Sequence, residues 1–348
     1  MKKSRLIALF FAGVLGFCFA NSVYAQEPSQ RELELEKTVK ELLQRVAELE
    51  SREEKRESAQ KTLSEQVQKS QETKENPNEV KTTWKNGLNF ESADGANSVQ
   101  IGGRVQNDWY AGSIDNGDFP DGTRFRRIWL KVGGKLFDDF NYKIQYDLAG
   151  NGIARWKDIY LEYTALDFMN IRAGLFKEPF SMEELMFNRD LTFLERASLN
   201  ALVPSRNTGF MVYNDILDNR LRWEIGVFKT SNDFGDGEED DADNGDWDAS
   251  MRVSGLPWYE DGGEKLLHLG AAFSHREWSD DLMRLRSRGG YSRGDRLVDT
   301  GSFNAETADL IGAELGLNYG PFNFMSEYVL TNVDAVGAGS DNYDSFYV

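Results

Sequence analysis

The chain has 348 residues, a formal net charge of −18 at neutral pH and a single cysteine. Such an acidic balance argues against nucleic acid as a partner, because the phosphate backbone attracts basic surfaces. The length allows one large domain with an appendage.

Residues 1–25 have the parts of a secretory signal peptide. Two lysines and an arginine form a basic start, an apolar run covers residues 6–20, and small residues end at Ala25. A retained membrane helix is the alternative, but it needs a longer apolar run. Cleavage removes Cys18 and three positive charges, so the mature chain has a net charge of −21 and no disulfide.

Residues 26–76 are predicted to form a coiled coil in the periplasm. Their apolar residues are spaced as at positions a and d of successive heptads, namely Leu35, Val39, Leu42, Val46 and Leu49. Valine at a with leucine at d favours two strands. A single solvated helix is the alternative, because the seam is short. Residues 77–97 are polar and are predicted to be a linker.

Residues 98–348 alternate apolar and polar side chains with a period of two, as antiparallel strands do. Short turns rich in Gly, Asn and Asp join pairs of strands, and longer loops lie between the pairs. A soluble β-sandwich alternates in the same way. Export, aromatic residues near strand ends and charged residues on the polar face of nearly every strand favour an all-β, antiparallel transmembrane β-barrel instead.

About 11–12 strands are visible, and the chain stops soon after a new one begins at "DSFYV". A bacterial barrel needs an even, closed set of strands, because an open edge in lipid leaves backbone groups unpaired. We therefore expect the sequence to be truncated at its C-terminus, by roughly four or five strands.

Residues 176–206 break the alternation, being too charged for a strand and too apolar for a free surface loop. Ser181 opens a capping-box pattern that predicts a short helix, and Thr192 opens a second one. We expect the segment to fold into the barrel as the loop that narrows the channel, since a wide barrel wall supplies no constriction. An extracellular cap packed on its own residues is the alternative.

Two runs of the chain resemble a known family: "RFRRIWLKVGGKLFDDFNYKIQYDLAG" and "GLFKEPFSMEELMFNRDLTFLERASLNALVPSRNTG". With the signal peptide and the N-terminal heptads, they are similar to the phosphate-selective porins O and P over nearly the whole chain. The resemblance implies a sixteen-stranded outer-membrane barrel of a Gram-negative-type bacterium. It also implies a homotrimer and passive uptake of anions, with phosphate or polyphosphate among them, through an arginine-rich lumen.

Anion selectivity needs cations where a channel is narrow, because the ion loses part of its hydration there. The candidates on strands are those opposite the predicted lipid-facing residues: Arg104, Arg127, Lys131, Lys143 and Arg252. The candidates around the inward loop are Lys177, Arg189, Arg196 and Arg206. The same lumen would hold the carboxylates of Asp108, Asp147, Asp158, Glu162 and Glu224. Each cation therefore either guides ions or is neutralised by an acid, which leaves a weakly selective pore as an alternative.

Two loops have unusual charge. Nine acids lie between Asp233 and Asp248 and predict a solvated external loop, either simply hydrated or bridging divalent cations to lipopolysaccharide. Five arginines lie between Arg284 and Arg296 and predict either a mouth loop that gathers anions or a plain solvated loop.

The leading interpretation is a passive porin for small anions, surrounded by outer-membrane lipid and lipopolysaccharide. A general or weakly cation-tolerant porin is one alternative, and a structural protein that its coiled coil tethers to the cell wall is another. The sequence has no nucleophile elbow, phosphate-binding glycine loop or zinc spacing, so no enzyme, cofactor or metal is expected.

Overall fold

The computed structural model describes residues 30–72, 79–112, 121–149, 153–237, 247–277, 282–288, 296–336 and 339–348. The predicted signal peptide and residues 238–246 of the acidic loop lie outside the described residues. The chain divides into two compact units, residues 1–75 and residues 76–348.

The described part of the first unit is one helix, α1, over Gln30–Glu72. The five seam residues of the predicted coiled coil are between 46% and 59% exposed along it. The described part of this unit therefore has a single helix and forms no coiled coil within the chain, because a coiled coil needs a second helix. No described helix is long and apolar enough to cross a bilayer.

The described residues of the second unit form seventeen strands. They are β1 (Val80–Trp84), β2 (Leu88–Ser92), β3 (Ser98–Tyr110), β4 (Gly122–Leu136), β5 (Phe140–Asp147), β6 (Arg155–Tyr163), β7 (Asn170–Lys177), β8 (Arg206–Ile216), β9 (Leu221–Lys229), β10 (Asp248–Glu260), β11 (Lys265–Glu277), β12 (Leu282–Met283), β13 (Arg286–Arg288), β14 (Arg296–Asp299), β15 (Phe303–Tyr319), β16 (Phe322–Ala335) and β17 (Gly339–Tyr347).

Fifteen of these strands form one sheet, in which each neighbouring pair is antiparallel. The order follows the chain from β1 to β11 and then continues with β15, β16 and β17, while β12 pairs with the start of β15. β13 and β14 form a separate two-stranded sheet. The all-β antiparallel class is confirmed. The described strands do not close the predicted barrel, because β1 and β17 are the two ends of this order.

The sheet has more strands than the 11–12 that the sequence predicted, partly because β1 and β2 lie within residues 77–97. Alternation is hard to detect in strands of five polar-rich residues. Their connection contains Asn86 and Gly87, both with positive φ, which is the strongest short hairpin signal. A β-carbon on Gly87 would lie 2.4 Å from the carbonyl oxygen of Ile101, so only glycine fits this approach to β3.

The two faces of the sheet differ in chemistry. In β10, the buried Ser250 and Arg252 alternate with Met251 and Val253, which are 47% and 51% exposed. The same pattern continues in β15, where the buried Glu314 lies between exposed apolar neighbours. We call the face with exposed apolar residues the outer face and the opposite, polar face the inner face.

Residues 178–205, which we call the inner segment, connect β7 to β8 and pack on the inner face. Phe180 is fully buried in a cluster with apolar residues of β11, β15 and β16. The backbone N–H groups of Met182 and Glu183 donate to the Glu327 carboxylate on β16, at 3.1 Å and 2.6 Å. The segment is thus fixed to strands that lie far from it in the sequence.

One of the two helices predicted for the inner segment is present. Helix α2 covers Met182–Leu185, and the Ser181 hydroxyl caps it by accepting from the Glu184 N–H at 3.2 Å. The helix predicted at Thr192 is absent, and a 3₁₀ helix forms instead at Ser198–Ala201. Glu195 would have to fold back towards Thr192 to complete that capping box, but its carboxylate contacts an arginine of β4 instead.

Candidate functional site

Strand β4 brings two adjacent arginines to one site. Gln106 of β3 lies opposite Arg127 and Asn107 lies opposite Phe125, so Arg126 is an extra residue in the ladder. A β-bulge of this kind re-aims the side chains of its strand. Arg126 and Arg127 consequently line the same cavity, although strict alternation would send one of them to the outer face.

This cavity, of about 470 Å³, lies between β4, β6, the inner segment and β13. Its described lining includes eight cationic side chains: Arg124, Arg126, Arg127, Lys157, Arg196, Arg206, Arg286 and Arg288. Three carboxylates lie with them, those of Asp147, Glu184 and Glu195. We call it the cationic cavity. The excess of cations makes its local potential positive although the chain as a whole is acidic.

Glu195 of the inner segment reaches into the cationic cavity and binds two arginines. Its carboxylate accepts two hydrogen bonds from Arg126, at 2.5 Å and 2.8 Å, and lies 3.6 Å from Arg127. Burial raises the pKa of Glu195, but the hydrogen bonds and charges of the arginines outweigh burial and hold this pKa below its usual value. The carboxylate is therefore ionised at neutral pH.

Arg196 holds the inner segment in shape. Its guanidinium donates to the backbone carbonyls of Glu183, Glu184 and Met186, each at 3.0 Å. Carbonyls at the end of a helix lack partners within the helix, so the guanidinium satisfies groups that α2 leaves open. The Glu184 carboxylate also lies 3.2 Å from Arg196 and 3.5 Å from Lys177. Both cations thus bind the segment itself.

Strand β6 is also irregular, because its register against β5 shifts next to Lys157 and Asp158. Asp158 accepts a hydrogen bond from Arg206 at 2.6 Å and another from Lys143. Lys157 lines the cationic cavity, and no ion pair joins it to a carboxylate among the described residues. The two neighbours therefore differ in effect: Asp158 neutralises cations, whereas Lys157 adds a charge.

Arg252, which the sequence placed among the candidates, is neutralised on the inner face. It donates two hydrogen bonds to Glu314, at 2.8 Å and 2.7 Å, and lies 3.1 Å from Glu224. All three side chains are buried. The donors of Arg252 are therefore occupied by carboxylates. For this residue the structure agrees with the alternative that acids of the inner face neutralise the predicted cations.

The remaining candidates do not line the cationic cavity. Lys131 and Lys143 line a smaller cavity of about 310 Å³. Arg104 donates to a glutamine side chain at 2.9 Å. Arg189 has a side chain that is 63% exposed and lies 3.3 Å from Asp190. The nine predicted residues are thus spread over several places on the inner face and the inner segment.

The cationic cavity contains three of the nine predicted cations, Arg127, Arg196 and Arg206. Arg126 and Lys157 were missed because each lies at a register shift, where a period of two assigns the wrong face. Arg286 and Arg288 come from the arginine-rich stretch that was predicted to be a loop. The Arg-x-Arg-Arg run at residues 124–127 was the available signal, since a bulge places three of its cations together.

The sheet has an apolar outer face and a polar inner face with a cationic cavity, which is the pattern of a porin wall. The model of the family described as phosphate-selective porin O and P matches residues 99–348. The chain therefore belongs to this family. It is 27% identical over 282 residues to Porin O of Pseudomonas aeruginosa, an alignment that covers 72% of this chain and 62% of that relative. The chain thus spans less than two thirds of the relative's length.

Proposed function

We propose that the protein is an outer-membrane porin through which small anions, phosphate or polyphosphate among them, diffuse down their gradient. The observation that carries the proposal is the cationic cavity, where eight cations outnumber three carboxylates. Membership of the porin O and P family supports the same function.

The cationic cavity offers donors that suit an oxyanion. Each arginine guanidinium can donate two parallel hydrogen bonds to phosphate oxygens. Trp129 lines the same cavity, and its buried indole N–H has no acceptor among the described residues. Such groups replace the water that an ion gives up on entering a narrow site.

The overall acidity of the chain does not oppose this function. Salt screens exposed charges beyond about 8 Å at physiological ionic strength. An ion inside the cationic cavity therefore responds mainly to the groups that line it. The distant acids of the external loops act on the ion only weakly.

We propose that the outer face of the sheet contacts lipid. It exposes apolar side chains such as Val105, Val227 and Ile311, while buried charged residues such as Arg252, Glu224 and Glu314 lie on the inner face. Unpaired backbone groups in lipid cost several kcal/mol each, so we expect the sheet to be part of a closed barrel in the membrane. Failure of the protein to insert into lipid vesicles would contradict this arrangement.

The test is planar-bilayer recording in a potassium chloride gradient, with Lys157→Gln as the variant. Lys157 has no close ion pair with a carboxylate in the described part of the chain, so its loss should lower the anion-to-cation permeability ratio by about threefold. The ratio follows from the reversal potential.

Lys135→Gln is the matched control, because it removes the same charge from the far end of β4. Lys135 does not line the cationic cavity and pairs with Asp138 at 2.8 Å. We expect the control to leave the permeability ratio unchanged. Equal effects of the two variants would mean that the cationic cavity is not where ions are selected.

We also propose that α1 associates with the same helix of other copies, in the homotrimer that the family resemblance implies, although valine at a with leucine at d by itself favours two strands. The support is the exposure of its heptad seam on the single helix. Leucine and valine gain about 1.5–3 kcal/mol each when they are buried fully, so an exposed seam of five favours association.

A further inference from the structure

The inner segment places an anionic group of the protein where a transported anion should bind. The Glu195 carboxylate receives two hydrogen bonds from Arg126 and lies 3.6 Å from Arg127, inside the cationic cavity. A carboxylate and a phosphate present similar pairs of oxygens to a guanidinium. The two groups therefore need the same donors.

We propose that Glu195 is a built-in competitor for the transported anion, which must displace this carboxylate from Arg126 and Arg127 in order to bind. The inference rests on the proposed anion channel and names a residue that sets its affinity. Glu195 lowers the affinity of the cationic cavity in two ways, by occupying donors and by repelling a second negative charge.

The position of Glu195 in the inner segment makes displacement feasible. The chain before it, residues 187–194, has no helix or strand, and Phe187, Phe193 and Leu194 are 61–75% exposed. After it, Arg196 is fixed to the carbonyls around α2. Glu195 thus lies where an exposed stretch meets an anchored one, and its side chain can leave the arginines without disturbing the buried Phe180.

A competitor of this kind also serves transport. Conduction requires binding that is strong enough to admit the ion and weak enough to release it. An anion held by several arginines would leave slowly, whereas a tethered carboxylate can take back the donors as the anion departs. The inner segment therefore contributes to release as well as to narrowing.

The experiment measures the concentration of inorganic phosphate that blocks half of the chloride current in planar bilayers. In Glu195→Gln the charge is lost, but the amide oxygen can still accept from Arg126. We expect the half-blocking concentration to fall about tenfold, because phosphate no longer meets a charged competitor. Glu195→Asp retains the charge on a shorter side chain, so the fall in the half-blocking concentration should be clearly smaller for this variant.

Asp190→Asn is the matched control, since it removes the same charge from the same segment. Asp190 does not line the cationic cavity and pairs with the exposed Arg189. The phosphate concentration that blocks half of the chloride current should be the same in Asp190→Asn as in the wild type.

Three results would overturn the inference. If Glu195→Gln leaves the block unchanged, the carboxylate does not compete. If Glu195→Gln and Glu195→Asp shift it equally, a loosened segment and not the charge is responsible. If the wild-type protein passes no anion current at all, the proposed function fails and the inference fails with it, which distinguishes that case from the first two.

Discussion

At the scale of single residues, cations on the inner face differ in how far carboxylates neutralise them. Arg252 is enclosed by two glutamates, and Arg206 shares Asp158 with Lys143. Lys157, in contrast, has no ion pair in the described part of the chain. A cation that is already paired contributes little to an ion passing by, so counting arginines overstates the selectivity of the wall.

Arg196 and Arg189 provide a test of this distinction, because both were predicted from the sequence to be cations of the inward loop. Arg196→Ala should lower the free energy of unfolding by about 2–4 kcal/mol, since it removes one of the two cations paired with Glu184 and the charged donor of three backbone carbonyls. Arg189→Ala should change it by less than about 0.5 kcal/mol, because the Arg189 side chain is exposed. Denaturant unfolding in detergent, monitored by tryptophan fluorescence, measures the free energy of unfolding of both variants.

Similar losses in the two variants would contradict the anchoring role of Arg196. A large effect of Arg189→Ala alone would instead mean that the exposed part of the inner segment has contacts that stabilise the fold.

The sequence was sufficient to place Arg127 on the inner face, but it did not place Arg126 or Lys157 in the cationic cavity. A period of two assumes an unbroken ladder, and both residues lie at register shifts. Such a shift is a property of two paired strands, so the alternation pattern of one strand does not predict it. The pairing of Glu195 with Arg126 joins residues 69 positions apart, and no local pattern predicts it.

At the scale of elements, patterns with a local cause were predicted well. Helix α2 begins after Ser181 as expected, because the serine hydroxyl and the helix are neighbours in the chain. The helix expected at Thr192 does not form, because the Glu195 carboxylate binds the distant Arg126 and does not complete the local cap. Strands β1 and β2 were missed since each is too short to show alternation, although Asn86-Gly87 marked the turn between them.

Helix α1 is the element whose exposed seam predicts association. A peptide of residues 26–76 should form oligomers at micromolar concentration, and Leu42→Asp should reduce them to monomers, because a charge at a d position opposes burial. Sedimentation equilibrium measures the mass directly.

Gln44→Asp is the control for this experiment, since Gln44 is exposed and lies outside the seam. It should leave the mass unchanged. A wild-type peptide that remains monomeric would contradict the association of α1.

At the scale of the whole molecule, the inner segment links strands that are far apart in the sheet. The backbone N–H of Glu183 donates to the Glu327 carboxylate of β16, and the Glu195 carboxylate accepts from Arg126 of β4. Because both contacts are made on the inner face, the sheet must curve around the segment. The alternation of the sequence predicted the strands and their faces, but it contains no information on this curvature or on closure.

We propose that the cationic cavity selects anions although the protein is acidic overall. The most direct test is the sign of the reversal potential of the full chain in a planar bilayer that separates two concentrations of potassium chloride. We predict a reversal potential of the sign expected when chloride carries most of the current. Added phosphate should reduce that current. A potential of the opposite sign, with potassium carrying the current, would contradict the claim.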